Sequence, residues 1–337
     1  MSQWETSRRL FLQALGAAFG GRASVASAQV RARAHIPRIG LLAAGSASLH
    51  IDKDPEQGVF VGLRELGYVE GQNIVLEWRY AEGKPERLAI LAAELVRLRV
   101  DAILAQGPAP RLAASKATSR IPIIAVAGAD PVREGWARSL AHPGGNMTGL
   151  TVTYPELDSK RLEIIKQAFP DVVRMAVLLS PNELPIAKEM ARDLESSARQ
   201  LGMQMEVLEV RAPDDLQTAF VAARQNKVQA VYAIATNLVV ENRERIAGLA
   251  IQNRLLSISE FPVMAQAGFL LSYGADLTDL LRRSVAQMDK VLKGVPVGDI
   301  PIERPTKFQL SVNLKTAKAM GLTVPQFLLQ RADDLIQ

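Results

Sequence analysis

The chain has 337 residues, a formal net charge of +5, 48% hydrophobic residues and no cysteine. At ~100–200 residues per domain this length favours two domains. Basic and acidic residues are interspersed without a Lys/Arg block, which leaves no footprint for nucleic acid, and the lack of cysteine excludes disulfides, a thiol nucleophile, Cys-based metal sites and a lipid-bearing cysteine.

The N-terminus points to export. Ser7-Arg8-Arg9-Leu10-Phe11-Leu12-Gln13 precedes an apolar run over 14–20, and Ala26-Ser27-Ala28 follows. That order is a charged n-region, a short h-region and an A-x-A cleavage site. The paired arginines followed by Phe-Leu are similar to a twin-arginine signal, with Gln13 where a lysine often stands. The run falls short of the ~20 apolar residues that span a bilayer. Cleavage near Ala28 removes 28 of 337 residues and leaves 309. The removed segment holds Arg8, Arg9, Arg22 and Glu5, a net of +2, so +3 remains. No later stretch reads as a membrane span. An exported, unanchored chain of this kind is expected in the periplasm.

Short apolar strands then alternate with amphipathic helices. The patterning predicts strands over 39–43, 74–80, 102–105, 123–126 and 147–152, and helices over 56–66, 87–98, 111–119 and 132–140. Gly67 stands as a C-cap and Pro85 as a first-turn proline. His142-Pro143-Gly144-Gly145 is a turn signal. The pattern restarts with a helix over 160–168, for which Asp158 is the expected N-cap. Strands follow over 174–179, 204–210, 230–235, 256–259 and 269–273, with helices over 186–201, 216–225, 240–253 and 277–293. A Pro-rich connector leads to a strand over 309–312 and a helix over 314–320. Alternation of this kind implies an α/β fold of two doubly wound parallel-sheet lobes.

Catalytic and cofactor templates find no match. G-x-S-x-G, G-x-x-x-x-G-K-[ST] and G-x-G-x-x-G are all absent. His35 and His142 have no ligand at metal spacing, and His50 reads as a loop histidine. Asp214/Asp215 read as a helix start and Asp333/Asp334 as a solvated tail. The chain is therefore not expected to be an enzyme or to carry a cofactor or metal.

A ligand in open α/β sheets sits beyond the carboxyl ends of the strands, and between two lobes the cleft is the natural pocket. The residues following the predicted strands give the candidate ligand-binding set: Ser46, Gln106, Gly107, Asp130 and Pro131 in the first lobe, with Ser180, Asn182, Thr236, Asn237 and Glu260 in the second. Helix N-termini after Ser46 or Gln106 suit a carboxylate, and Asp130 or Glu260 suits an ammonium group. The same residue types serve ordinary βα-turns, so the set marks a cleft more than any one member does. Trp136 is read as packing its segment against the sheet.

Three blocks carry a family likeness: residues 62–74 (GLRELGYVEGQNI), Asp130-Pro131-Val132 with residues 139–149 (SLAHPGGNMTG), and residues 307–322 (KFQLSVNLKTAKAMGL). Together they resemble substrate-binding proteins of one ABC-transporter family that includes tryptophan/tyrosine-type members. The resemblance implies a type I periplasmic-binding-protein fold, with crossover segments near 149–154, 273–276 and 305–312. It implies a first lobe of 36–150 plus about 275–307, a second of 151–274, and a tail strand and helix over 308–337 of unassigned lobe. It further implies a solute-binding component of an ABC importer that closes by a hinge on a small polar metabolite such as an amino acid. Its partner would be an inner-membrane permease, and it would act as a monomer. The chain departs from the family pattern at Gly128-Ala129-Asp130, where Thr commonly precedes the Asp-Pro pair, and after Tyr273, where an Asp-Tyr character is absent. With aromatics at 5%, the cleft loops do not favour an aromatic ligand. An exported α/β hydrolase and a sensory ligand-binding protein for a membrane receptor stand as the alternatives.

Overall fold

Five strands, β1 (Arg38–Ala43), β2 (Val75–Tyr80), β3 (Ala102–Gln106), β4 (Ile123–Gly128) and β5 (Met147–Thr151), form a parallel sheet in the order β2-β1-β3-β4-β5. The computed structural model describes residues 35–45, 57–128, 130–152, 155–182 and 187–337. The export signal, Ser46 and His50 lie outside the described residues.

The central strands of this sheet are covered on both faces, as their unbroken apolar runs require. Ile39 and Leu41 of β1 face one cluster and Leu42 faces another. On the first face the helix Gln57–Glu65 lies against the helix Leu277–Leu292. Their close approach depends on two glycines. A Cβ on Gly58 would stand 2.2 Å from the Thr278 carbonyl oxygen, and one on Gly62 would stand 2.7 Å from that of Arg282. On the second face, Leu88, Leu91, Ala92 and Leu95 of helix Leu88–Arg97, with Ala114 of helix Pro108–Ala117, pack on Leu42, Ile103 and Ile123.

The second sheet has seven strands: β6 (Arg174–Leu179), β7 (Gln204–Glu209), β8 (Ala230–Ala233), β9 (Leu256–Ser259), β10 (Leu271–Ala275), β11 (Phe308–Asn313) and β12 (Asp334–Ile336). Their order is β12-β11-β10-β9-β8-β6-β7. All neighbours are parallel except β10 and β11. That pair is antiparallel because the chain leaves β10, runs through the helix Leu277–Leu292 beside the first sheet, and only then returns. Helices Pro155–Ala168 and Ala187–Gln200 cover one face. Helices Asp215–Gln225, Arg243–Gln252 and Pro262–Gln266 cover the other. The fold is thus α/β with two doubly wound lobes, in agreement with the strand–helix alternation of the sequence.

The chain passes between the sheets after β5, after β10 and before β11. The last passage is pinned beside β5: Glu303 N donates to Gly149 O at 2.9 Å, Thr151 N donates to Glu303 O at 3.1 Å, and Thr148 Oγ1 donates to Ile300 O at 2.7 Å.

Some elements differ from the sequence expectation. Residues 132–140 are a series of turns, not a helix. Asp130 Oδ1 captures Val132 N and Arg133 N, Pro131 O captures Trp136 N and Ala137 N, and Gly135 takes φ +76°. These local bonds compete with a helical ladder. The helix expected over 240–253 is two helices, Asn237–Glu241 and Arg243–Gln252, parted at Asn242. The helix expected from 160 begins at Pro155, which puts Asp158 inside its first turn. The tail after residue 320 holds a further helix, Gln326–Arg331, and β12. Asp333 there is no free surface group, since its Oδ2 accepts from Leu310 N at 2.8 Å.

Candidate functional site

The carboxyl ends of the two sheets face each other. Helix Asn237–Glu241, which follows β8, sits against the loops after β1, β2 and β3. A Cβ on Gly45 would stand 2.8 Å from Glu241 Oε1, one on Gly83 would stand 4.0 Å from Glu241 Cγ, and one on Gly107 would stand 3.5 Å from Asn237 Oδ1. Gly107 has φ +91°, a value that favours glycine, and it opens the helix Pro108–Ala117. Gln106 closes β3 in register with Ala43 and Val126. Gly107 and Asn237 therefore meet across the gap between lobes, with Gln106 next to Gly107 at the end of β3.

The other candidates divide by role. Thr236 is buried and caps its helix, its Oγ1 accepting from Val239 N at 3.4 Å. Asp130 spends one carboxylate oxygen on its own turn, and Pro131 is buried beneath that turn. Ser180, directly after β6, is fully buried, and its Oγ has no hydrogen-bond partner among the described residues. Asn182 is exposed.

Glu260 is part of a buried network that the sequence reading did not assemble. Its Oε1 accepts from the Tyr232 hydroxyl at 3.1 Å and its Oε2 accepts from Ala235 N at 3.0 Å. The Tyr232 hydroxyl lies 2.6 Å from Asp158 Oδ1. Arg161, 2% exposed, donates from Nη1 to Asp158 Oδ1 at 2.7 Å and to the Tyr232 hydroxyl at 3.0 Å, and from Nε to the Tyr273 carbonyl at 2.7 Å. Glu260 Oε1 stands 4.0 Å from the same guanidinium. Asp158 is consequently no N-cap. The turn it was assigned to cap starts three residues earlier, and its carboxylate faces inward to Arg161 one helical turn on.

Two carboxylates face one guanidinium here, and burial acts together with that imbalance on the pKa of each group. Burial pushes Asp158 up to about 6; Arg161 opposes the rise and Glu260 adds to it. Burial works against the Arg161 charge, but Tyr232, Glu260 and Asp158 outweigh it and hold the guanidinium above its ordinary range. Burial raises Tyr232 well above a normal phenol, so it stays neutral and can donate. With both carboxylates ionised the cluster has a surplus negative charge at the carboxyl ends of β8, β9 and β10. Such a cluster suits a cationic group.

The first lobe has a buried ion pair of its own. Arg111 Nη2 lies 3.1 Å from Glu134 Oε2, with side chains 4% and 1% exposed. Trp136 Nε1 donates to the same oxygen at 3.0 Å, and the Arg111 guanidinium lies 5.6 Å from the Trp136 ring centroid. Burial lowers the Arg111 pKa against the opposing pull of Glu134. Trp136 packs on the first-lobe core, as its sequence context suggested. Legible signals for the missed residues were few: Asp158 and Arg161 at i, i+3 spacing, and a lone Tyr232 in a strand otherwise of Ala and Val. Among the described residues no group of three or more His, Asp or Glu is set to hold a metal.

Comparison with known proteins agrees with this architecture. The chain belongs to the ABC transporter substrate binding protein family, whose model matches residues 51–336. It is 27% identical over 267 residues to a tyrosine-binding protein of Clostridioides difficile (strain R20291), covering 79% of this chain and 76% of that one. A conserved domain protein from Vibrio cholerae superposes with a TM-score of 0.82 at 25% identity, over 89% of this chain and 99% of that one. An ABC domain from Streptococcus pneumonia solved in complex with L-Trp superposes with a TM-score of 0.81 at 24% identity, over the same shares. The fold is that of type I periplasmic binding proteins, and the protein is a substrate-binding protein of an ABC transporter, not an enzyme.

Proposed function

We propose that the chain is the exported solute-binding component of an ABC importer and closes by a hinge on a small polar metabolite, an amino acid, between its lobes. The observation that carries the reading is the buried Asp158–Arg161–Tyr232–Glu260 network, whose surplus negative charge at the strand ends suits the ligand's ammonium group. Ser180, whose buried hydroxyl has no partner among the described residues, and the Gln106–Gly107 turn are assigned to the ligand's remaining polar groups. Asp130, Pro131, Thr236 and Asn237 shape the cleft around them, and Asn182 lies at its rim. The relatives named for tyrosine and L-Trp support an amino acid as the ligand class.

On this reading residues 1–28 direct export to the periplasm, and the closed form meets an inner-membrane permease as a monomer. The lobes are residues 36–150 plus about 275–307, and residues 151–274. The pairing of β11 and β12 with the second sheet supports placing 308–337 there.

A thermal-shift panel on the cleaved chain tests the reading, with amino acids run beside their N-acetyl and α-hydroxy-acid counterparts. Ligand at ~100 times its Kd adds ~2.7 kcal/mol, a shift of several degrees. An amino acid that shifts the midpoint, is recovered unaltered, and loses its effect when its ammonium is blocked supports the proposal. Equal shifts by the hydroxy acid would refute the role of the acidic network.

A further inference from the structure

The two lobes touch at more than one place. At one, the helix Asn237–Glu241 meets the loops after β1, β2 and β3. At another, Arg133 of the turn after β4 reaches Asp193 of helix Ala187–Gln200, Nη1 to Oδ2 at 2.6 Å. The two side chains remain 31% and 46% exposed, so solvent can reach and replace this contact when the lobes part.

The turn that carries Arg133 is tied down by hydrogen bonds from its own side chains. Asp130 Oδ1 fixes the Arg133 amide itself. One residue later, Glu134 is sunk against Arg111 and Trp136. That buried pair is costly, because Arg111 Nε and Glu134 Oε1 have no hydrogen-bond partner among the described residues. An ion pair of this kind is weak evidence for stability, and fixing geometry is the role such pairs serve best. Asp130, Glu134 and Trp136 leave Arg133 as the outward-facing cation of a fixed turn.

We propose that Arg133 and Asp193 form an interlobe latch, with Asp130, Glu134, Arg111 and Trp136 as positioning residues that aim Arg133 across the cleft. The latch lies outside the ligand's own shell and sets how long the closed form persists. The inference rests on the reading that the chain closes on a solute.

The chain's lack of cysteine allows clean spin labels at two exposed positions, Ile90→Cys in the first lobe and Val221→Cys in the second. Distance distributions are recorded without ligand and with L-tryptophan as the probe, for the wild type, R133A, D193A and the swap R133D/D193R. Exposed ion pairs are worth ~0.2–1 kcal/mol, so each single variant should lower the ratio of closed to open populations by roughly 1.5- to 5-fold. Any measured Kd should rise by the same factor, the swap should restore both, and ~1 M salt should erase the differences. Distributions that superimpose for all four proteins would overturn the latch, whatever the Kd values. If L-tryptophan and the whole amino-acid panel leave the wild type unmoved while the Arg133-dependent difference persists without ligand, the latch stands and the solute assignment fails.

Discussion

Replacing Arg161 by methionine gives the sharpest measure of the buried network. The substitution keeps most of the side-chain volume and removes the guanidinium that donates to Asp158, Tyr232 and the Tyr273 carbonyl. Asp158 is then left with the Tyr232 hydroxyl at 2.6 Å, and Glu260 with that hydroxyl and Ala235 N. Removing one partner of a buried pair costs about 3–5 kcal/mol. At ~2–4 °C per kcal/mol, the unfolding midpoint should fall by at least ~6 °C at pH 7. The loss should depend on pH with a defined sign. Arg161 holds the Asp158 pKa down against burial, so without it the folded-state value rises further. A carboxyl whose folded pKa lies above its unfolded value contributes stability at low pH that is lost as pH rises through the folded value. R161M should therefore lie closer to the wild type at pH 5 than at pH 8, and adding D158N should recover part of the loss at pH 8. Circular-dichroism melts at both pH values suffice. A midpoint drop under ~2 °C at pH 7, or a deficit that grows on acidification, would refute this account of the cluster.

Four further outcomes are expected. In the wild type the raised Asp158 pKa of about 6 makes its contribution fullest below the ordinary carboxylate value of 3.8 and lost as pH rises through about 6; the stability difference between wild type and D158N, followed by urea melts from pH 4 to 7, should shrink as pH rises. Gly149→Ala should destabilise the first sheet by more than ~2 kcal/mol, because Gly149 has φ +153° and its Cβ would stand 1.9 Å from the Ala125 carbonyl oxygen; an unchanged melt would contradict that packing. Glu134→Ala strands the Arg111 charge in the first-lobe core and should cost about 3–5 kcal/mol in a denaturant titration, with E134A/R111M recovering most of it. Asn313→Ala removes a helix cap whose Oδ1 accepts from Thr316 N at 2.8 Å and a donor to the Ala265 carbonyl at 2.8 Å, and should lower stability by ~1–2 kcal/mol.

Much of the fold was legible because periodicity is a local property. The strands over 39–43 and 174–179 are continuous apolar runs bounded by turn residues, and they recur as β1 and β6 within a residue of their predicted ends. Local reading failed where side chains compete with the backbone. Asp130 and Pro131 divert the amides of residues 132–137 from a helix. Thr236 starts a helix at Asn237 that hydrophobic spacing alone placed at 240. At the site, the position of Glu260 directly after a strand was readable, but its place in a buried network with Tyr232, Asp158 and Arg161 was not.

The sequence by itself determined the α/β alternation, the order of strands and helices, and the segments that lie beyond the strand ends, since each depends on near neighbours in the chain. Tertiary structure alone decided which of those segments meet. Asp158 and Glu260 are more than a hundred residues apart and share Arg161 only because helix Pro155–Ala168 packs beneath β8 and β9. Arg133 finds Asp193, and Gly107 finds Asn237, only because two separately folded sheets turn their carboxyl ends toward one another. Burial, which with the neighbouring charges shifts each pKa and gives each pair its energetic weight, is a property of that packing and has no counterpart in the linear order of residues.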